Sequence, residues 1–234
     1  TDIRDAVKTF KGGRIVILTA APVYKCPAAP YEAAMLVEYH CRRLGIRDKT
    51  QIEIFAAEPG PMGTAGPDVS KQVRQMVESK GITYHPSHQI TAVDVKTRQL
   101  EFAAGVTAAF DLLIYVPPHQ APKVVLDSGL LSESGWVAVD RDTLETNFKD
   151  VYAIGDVTSI PLQMGKSLPK AGVFAAGQAE VVAHNLTVKW TGNGIPTSFQ
   201  GFGKCFIEIG DKRAGLGNGN FYAEPLPQVV VKRP

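Results

Sequence analysis

The stretch Arg14–Ala20 reads Arg-Ile-Val-Ile-Leu-Thr-Ala, a short apolar run without polar alternation. A strand of this kind must be covered on both faces, which is the situation of a parallel sheet whose crossovers lie above and below it. The residues that follow supply one crossover. A loop runs from Ala21 to Ala29, and Pro30 opens a helix at a position where its missing N–H costs nothing. Ala33, Leu36, Val37, Tyr39 and Leu44 predict the buried face of that helix, and Gly45 ends it. Gln51–Ala57 is a second strand, which completes a βαβ unit.

The pattern continues. Asp68 is read as the cap of a helix that runs to about Lys80, with Val69, Val73, Met76 and Val77 facing inward. Ile82–His85 is a short strand. Alternation from Gln89 to Phe110 predicts an antiparallel meander with turns at Lys96-Thr97 and Ala104-Gly105, and Asp111–Val116 is again a buried strand. Residues 14–118 therefore predict a Rossmann-type α/β domain with an inserted β-meander. The character changes in residues 119–192. Trp136–Asp140 and Val151–Asp156 read as strands and Lys170–Val188 as a helix, too few elements to close a sheet. Residues 193–234 read as an incomplete, glycine-containing β-rich segment.

The formal charge of +2 and the absence of any block of like charge give no support to nucleic-acid binding. No window approaches the ~18 apolar residues of a membrane span. Cys26, Cys41 and Cys205 match neither a CxxC pair nor a zinc pattern, so no metal site is expected. An odd number of cysteines in a chain of this size argues against a disulfide framework and makes a reducing cytoplasm the default compartment. The chain opens on Thr1, as a piece of a longer chain would.

Val151-Tyr152-Ala153-Ile154-Gly155-Asp156-Val157, with Thr143–Thr146 upstream, resembles the second FAD motif of pyridine nucleotide-disulfide oxidoreductase-like flavoproteins. Three further segments resemble sulfide:quinone oxidoreductases: Cys26-Pro27-Ala28-Ala29-Pro30-Tyr31-Glu32, Val116–Pro122, and Leu168-Pro169-Lys170-Ala171-Gly172. The resemblance implies a three-layer FAD/NAD(P)-binding fold with a partial second FAD-type domain. It implies that Gly155, Asp156, Lys170, Ala171 and Gly172 contact FAD. It further implies a sulfide or related sulfur substrate oxidised through Cys26, a quinone acceptor, and peripheral contact with the inner face of a membrane. A homo-oligomer is left open. Two departures stand out. No GxGxxG unit for the FAD pyrophosphate lies upstream of Arg14, so the N-terminal FAD segment is expected to be absent, leaving a chain that binds FAD weakly or not at all and is inactive alone. No cysteine precedes Pro169-Lys170, where such enzymes carry their second redox cysteine; Met164 is nearby instead.

The residues carry their own chemistry. Cys26 lies beside Lys25 and just ahead of a helix, where a partial positive charge is expected to lower the thiol pKa and favour the nucleophilic thiolate; a small packed residue is the plain alternative. Lys170 stands at a helix start, where the helix dipole would favour negative charge on a reduced flavin; an exposed lysine is the alternative. Glu32 is a first-turn carboxylate or a proton relay. His119 is a candidate base. Phe174 is either core or the lining of a quinone pocket. Cys41 is expected to be packed, and so is Cys205, for which the resemblance implies an approach to the flavin as the alternative; His40, His85, His88 and His184 are expected to lie in loops or on the surface. The loop after the first strand has no glycine with which to approach a pyrophosphate. Glu58, where a ribose-binding acid would stand, is expected to be solvated. The rival readings are an NAD(P)H-dependent FAD reductase, which the missing glycines disfavour, and a non-catalytic fragment acting as a binding module.

Overall fold

The fold is that of a computed structural model which describes residues 3–232. Residues 1, 2, 233 and 234 lie outside it. The described chain opens on a short helix, α1 (Ile3–Thr9), none of whose residues is buried. Strand β1 (Gly13–Thr19), helix α2 (Ala29–Arg43) and strand β2 (Thr50–Ala56) are the predicted βαβ unit. Helix α3 (Pro67–Glu78) and strand β3 (Thr83–His85) follow, then the meander of β4 (Ile90–Asp94), β5 (Gln99–Phe102) and β6 (Thr107–Ala109), and then β7 (Leu112–Val116). The parallel sheet runs β3-β2-β1-β7.

Alternation along β1 explains the layering. Ile15 and Ile17 face a core with Met35 and Tyr31 of α2 and Val73 and Val77 of α3. Val16 and Leu18 face the opposite way, against Leu100, Phe102 and Ala108 of the meander. Both faces of β1 are therefore dry, as its continuous apolar run requires. Strand β7 is an edge strand, paired only with β1, and its Tyr115 is exposed; the fully buried strand predicted there is corrected accordingly.

The buried face of α2 also differs from expectation. It consists of Pro30, Tyr31, Ala34, Met35, Val37, Glu38 and Cys41, while Leu36 and Leu44 are exposed. Glu38 can lie on the dry face because Arg42 (2.8 Å), Arg47 (3.5 Å) and Lys80 (3.7 Å) surround its carboxylate. Asp68 does not cap α3: Gly66, in a positive-φ conformation, precedes Pro67 and the helix begins there.

Beyond β7 lie α4 (Lys123–Leu126), β8 (Val137–Ala138) and β9 (Thr158–Ser159), then the long helix α5 (Gly172–Thr191) and the antiparallel strands β10 (Phe202–Gly210), β11 (Arg213–Asn220) and β12 (Gln228–Lys232). The predicted strand Val151–Asp156 is reduced to a single bridge, Glu145 with Tyr152, followed by a 3-10 turn at Gly155–Val157. A strand needs a ladder, and the backbone here finds one partner residue. Strand β8 is likewise shorter than Trp136–Asp140, and α5 starts two residues after Lys170. The β10–β12 sheet packs on α2, so Ile207, Phe221 and Val231 join the same core as Ile15 and Met35. Among the described residues no helix is long and apolar enough to cross a membrane.

Candidate active site

The loop between β1 and α2 brings Cys26 to the carboxyl end of the parallel sheet, where open α/β sheets bind ligands. Its backbone is left-handed, at φ 56°. The Cys26 N–H donates to the Lys170 carbonyl at 2.7 Å, and the Lys25 N–H donates to Nδ1 of His119 at 2.8 Å. The thiol is exposed to a cavity of about 520 Å3 that is also lined by Cys205, Glu58, Trp136, Lys170 and Phe174.

The expected depression of the Cys26 pKa is not found. Burial of the thiol by the cavity walls pushes its pKa up, the Glu32 carboxylate adds to the rise, and the N–H of Ala29 offsets only part of it. The Glu32 carboxylate accepts the N–H of Glu208 at 2.8 Å and so ties α2 to β10. Cys205, expected to be packed, is exposed on β10 and opens into the same cavity. Burial raises its pKa most, with Cys26 and Glu32 adding to it, which places the two thiols and Glu32 within electrostatic reach of one another.

Lys170 is buried, not an exposed helix-start lysine. Its Nζ donates to the carbonyls of Asp156 (2.7 Å) and Thr158 (2.8 Å) and sits 3.6 Å from the centre of the Trp136 ring. Burial pushes its pKa down to about 8, opposed by the charge of Asp156. Lys170 therefore joins two parts of the site: its carbonyl holds Cys26, and its ammonium holds the Gly155-Asp156 turn. In that turn Gly155 has φ +73°, and its N–H donates to the buried Gln178 of α5 at 2.6 Å. A Cβ at Gly155 would meet Ala175 Cβ at 3.2 Å. One carboxylate oxygen of Asp156, Oδ1, is buried without a hydrogen-bond partner among the described residues. Ala171 caps α5 in an extended conformation, and a Cβ built on Gly172 meets nothing within 4 Å.

Other candidates fall outside this centre. Phe174 is buried edge-on to Phe221, at 5.0 Å between centroids, so it is a core aromatic that also forms part of the cavity wall. Cys41 is buried as expected. His88 lies in a loop as expected and His85 ends β3, both half-buried: His85 stacks on Phe55 at 4.2 Å and reaches Glu53 at 3.2 Å, and His88 meets the same ring edge-on. Glu58 is buried and not solvated, accepting the hydroxyls of Thr19, Tyr24 and Tyr31. Sequence reasoning missed this cluster, the Trp136 contact with Lys170, and the role of Gln178; none carries a local spacing signal.

The sequence profile of the pyridine nucleotide-disulphide oxidoreductase family matches residues 14–179. The chain belongs to that family. Within it, the chain is 25% identical over 227 residues to the mitochondrial sulfide:quinone oxidoreductase of Schizosaccharomyces pombe, covering 94% of this chain and 48% of that protein. It is 28% identical over 133 residues to a coenzyme A disulfide reductase of Staphylococcus aureus, covering 53% of this chain and 30% of that protein. The crystal structure of the sulfide:quinone oxidoreductase of Aquifex aeolicus superposes with a TM-score of 0.83 at 22% identity, over 99% of this chain and 56% of that one. The fold is thus the α/β FAD/NAD-binding fold expected from the sequence. The chain spans about half the length of the sulfide:quinone oxidoreductase it matches from Schizosaccharomyces pombe.

Proposed function

We propose that this oxidoreductase chain is the sulfur-handling part of an FAD-dependent enzyme that oxidises sulfide, or a related sulfur nucleophile, and passes electrons to a quinone. The observation that carries the reading is the opening of two exposed thiols, Cys26 and Cys205, into one apolar cavity walled by Lys170, Ala171 and Phe174 at the start of α5, with the Asp156 turn tied to that wall through Lys170 Nζ. Cys205 takes the place left open by the missing cysteine before Pro169.

FAD fits the residues present. Asp156 offers a buried acceptor that no group among the described residues uses, suited to a ribityl hydroxyl. Gly172 leaves the backbone at the start of α5 open to close approach. Gly155, Asp156, Lys170, Ala171 and Gly172 would hold the cofactor, which supplies an acceptor for the electron pair of the sulfur substrate. In this reading Cys26 retains the oxidised sulfur and Cys205 exchanges with it. Glu32 takes the proton that Cys26 must lose, since burial and Glu32 itself keep the thiol protonated at neutral pH. Lys170 serves by holding the Asp156 turn and the Cys26 loop in one frame. The protein is taken to be cytoplasmic and peripheral to the inner face of a membrane.

A nicotinamide-dependent reading is disfavoured. The β1–α2 loop carries Pro22 and Pro27 in place of glycines, and Pro30 removes a further amide donor from the first turn of α2; Glu58 spends its carboxylate on internal hydroxyls.

The test is cyanolysable sulfur mapped by mass spectrometry after incubating the full-length flavin-loaded protein with sulfide and a quinone. Sulfane sulfur on Cys26 that accumulates in Cys205→Ser is the expected result. Sulfane sulfur absent from both cysteines would refute it.

A further inference from the structure

Three hydroxyls converge on one carboxylate just past the end of β2. Tyr24 and Tyr31 both donate to Oε1 of Glu58 at 2.6 Å, and Thr19 donates to Oε2 at 2.8 Å. All four side chains are buried. Burial raises the phenol pKa of Tyr24 and of Tyr31 far above the ordinary range, and the Glu58 charge adds to the rise in both, so each stays a donor. A carboxylate is a fitting partner, because its two oxygens accept several O–H donors and have none of their own. Hydrogen bonds to a charged acceptor are also roughly twice as strong as neutral ones.

The spacing of the donors gives the cluster its meaning. Tyr24 lies two residues before Cys26 and Tyr31 five after it. Backbone bonds fix the middle of the loop, from Lys25 to His119, from Cys26 to the Lys170 carbonyl and from Ala29 to the Cys26 carbonyl, while α2 begins only at Ala29 and the two ends are left to side chains. Cys26 itself is left-handed, a conformation that costs a residue with a Cβ ~1 kcal/mol and persists only where the surroundings impose it. Glu58 holds both ends of this loop, while Thr19 fastens Glu58 to the end of β1 and the Ser87 N–H donates to its carbonyl at 3.0 Å.

We propose that Glu58 is a positioning residue for Cys26. The carboxylate that a dinucleotide fold presents to a ribose hydroxyl near the end of its second strand is turned inward here, and clamps the thiol loop through Tyr24 and Tyr31. Holding the thiol over the cavity and withholding the ribose acid from a nicotinamide cofactor are then one device. The proposal rests on the reading of Cys26 as the reactive thiol.

The test is site-resolved alkylation by iodoacetamide across pH, read by mass spectrometry, on the wild-type chain and on Tyr24→Phe, Tyr31→Phe and Glu58→Gln. The reagent takes the thiolate, so the midpoint reports the acidity of Cys26 and the rate its access. Releasing the loop moves Cys26 into water and away from Glu32. Its midpoint falls towards that of a free thiol, and labelling at neutral pH rises about ten-fold, the factor carried by one hydrogen bond to a charged acceptor. Buried Cys41 is the folding control and stays unlabelled. A merely structural role for Glu58 would lower thermal stability and leave the Cys26 midpoint and rate unchanged in folded protein; that result overturns the proposal. If Glu58→Gln exposes Cys41, the tyrosine variants, which each lose a single oxygen, decide the matter. Labelling needs neither flavin nor sulfide, so a chain that shows the shift but oxidises no sulfide refutes only the proposed function.

Discussion

Replacing Lys170 with Met separates the two roles of this side chain. Met keeps the unbranched stem against Trp136 and removes the ammonium. At pH 7 two effects oppose each other. The carbonyls of Asp156 and Thr158 lose a charged donor, at about 1–3 kcal/mol each if left unsatisfied. In return the folded state no longer bears the cost of a buried ammonium. That cost follows from its pKa, pushed by burial to about 8 from an ordinary 10.5, and amounts to about 3 kcal/mol. The two largely cancel, so Lys170→Met is expected to lie within about 2 kcal/mol of wild type at neutral pH. The pH dependence is more telling. Between the folded and the unfolded pKa the unfolded chain binds a proton that the folded chain has released, so wild-type stability rises with pH through this window. Lys170→Met has nothing to titrate there. The stability of wild type relative to Lys170→Met should therefore grow by about 3 kcal/mol from pH 8 to 10.5. Urea denaturation at several pH values measures it, and Trp136 emission should change with the same midpoint, because Nζ lies 3.6 Å from its ring. A difference that stays flat from pH 8 to 10.5 would refute the reasoning.

Glu38→Gln leaves Arg42, Arg47 and Lys80 facing an uncharged group under the β10–β11 hairpin. Because these cations are partly solvated, a loss of about 2 kcal/mol is expected in urea denaturation, and a change under ~0.5 kcal/mol would contradict it. Gly155→Ala puts a Cβ on a left-handed residue and against Ala175, which should cost ~1–2 kcal/mol and weaken flavin retention by the full-length protein on a desalting column. Under native conditions Cys26 and Cys205 should both react with a maleimide while Cys41 reacts only after unfolding; a protected Cys205 would remove it from the proposed exchange.

Much of the fold was legible because its signals are local. The unbroken apolar run of β1 demands two dry faces and has them. The meander is marked by its turns, where Asp94 accepts the N–H groups of Lys96 and Thr97 and Ala104-Gly105 turns left-handed. Val69, Val73, Met76 and Val77 keep to one face of α3. The α2 face was misread because its stripe contains Glu38, a charge made burial-tolerant by Arg42 one turn on together with Arg47 and Lys80 from beyond the helix. Glu58 was misread for the same reason, its partners Thr19, Tyr24 and Tyr31 being invisible to a local pattern. In the site, the Cys26 and Gly155-Asp156 motifs were readable as motifs. Cys205 was not: it lies two residues from the fully buried Ile207, and it borders a cavity whose other walls come from segments distant in sequence, among them Cys26, Trp136 and Lys170.

The central claim is that sulfur chemistry at Cys26, and not nicotinamide oxidation, delivers electrons to FAD. The most direct measurement is the anaerobic visible absorbance of the full-length flavin-loaded protein, titrated with sulfide and, separately, with NADH. Bleaching by sulfide that disappears in Cys26→Ala, with no bleaching by NADH, is the predicted result. Bleaching by NADH that persists in Cys26→Ala, with no response to sulfide, would contradict it.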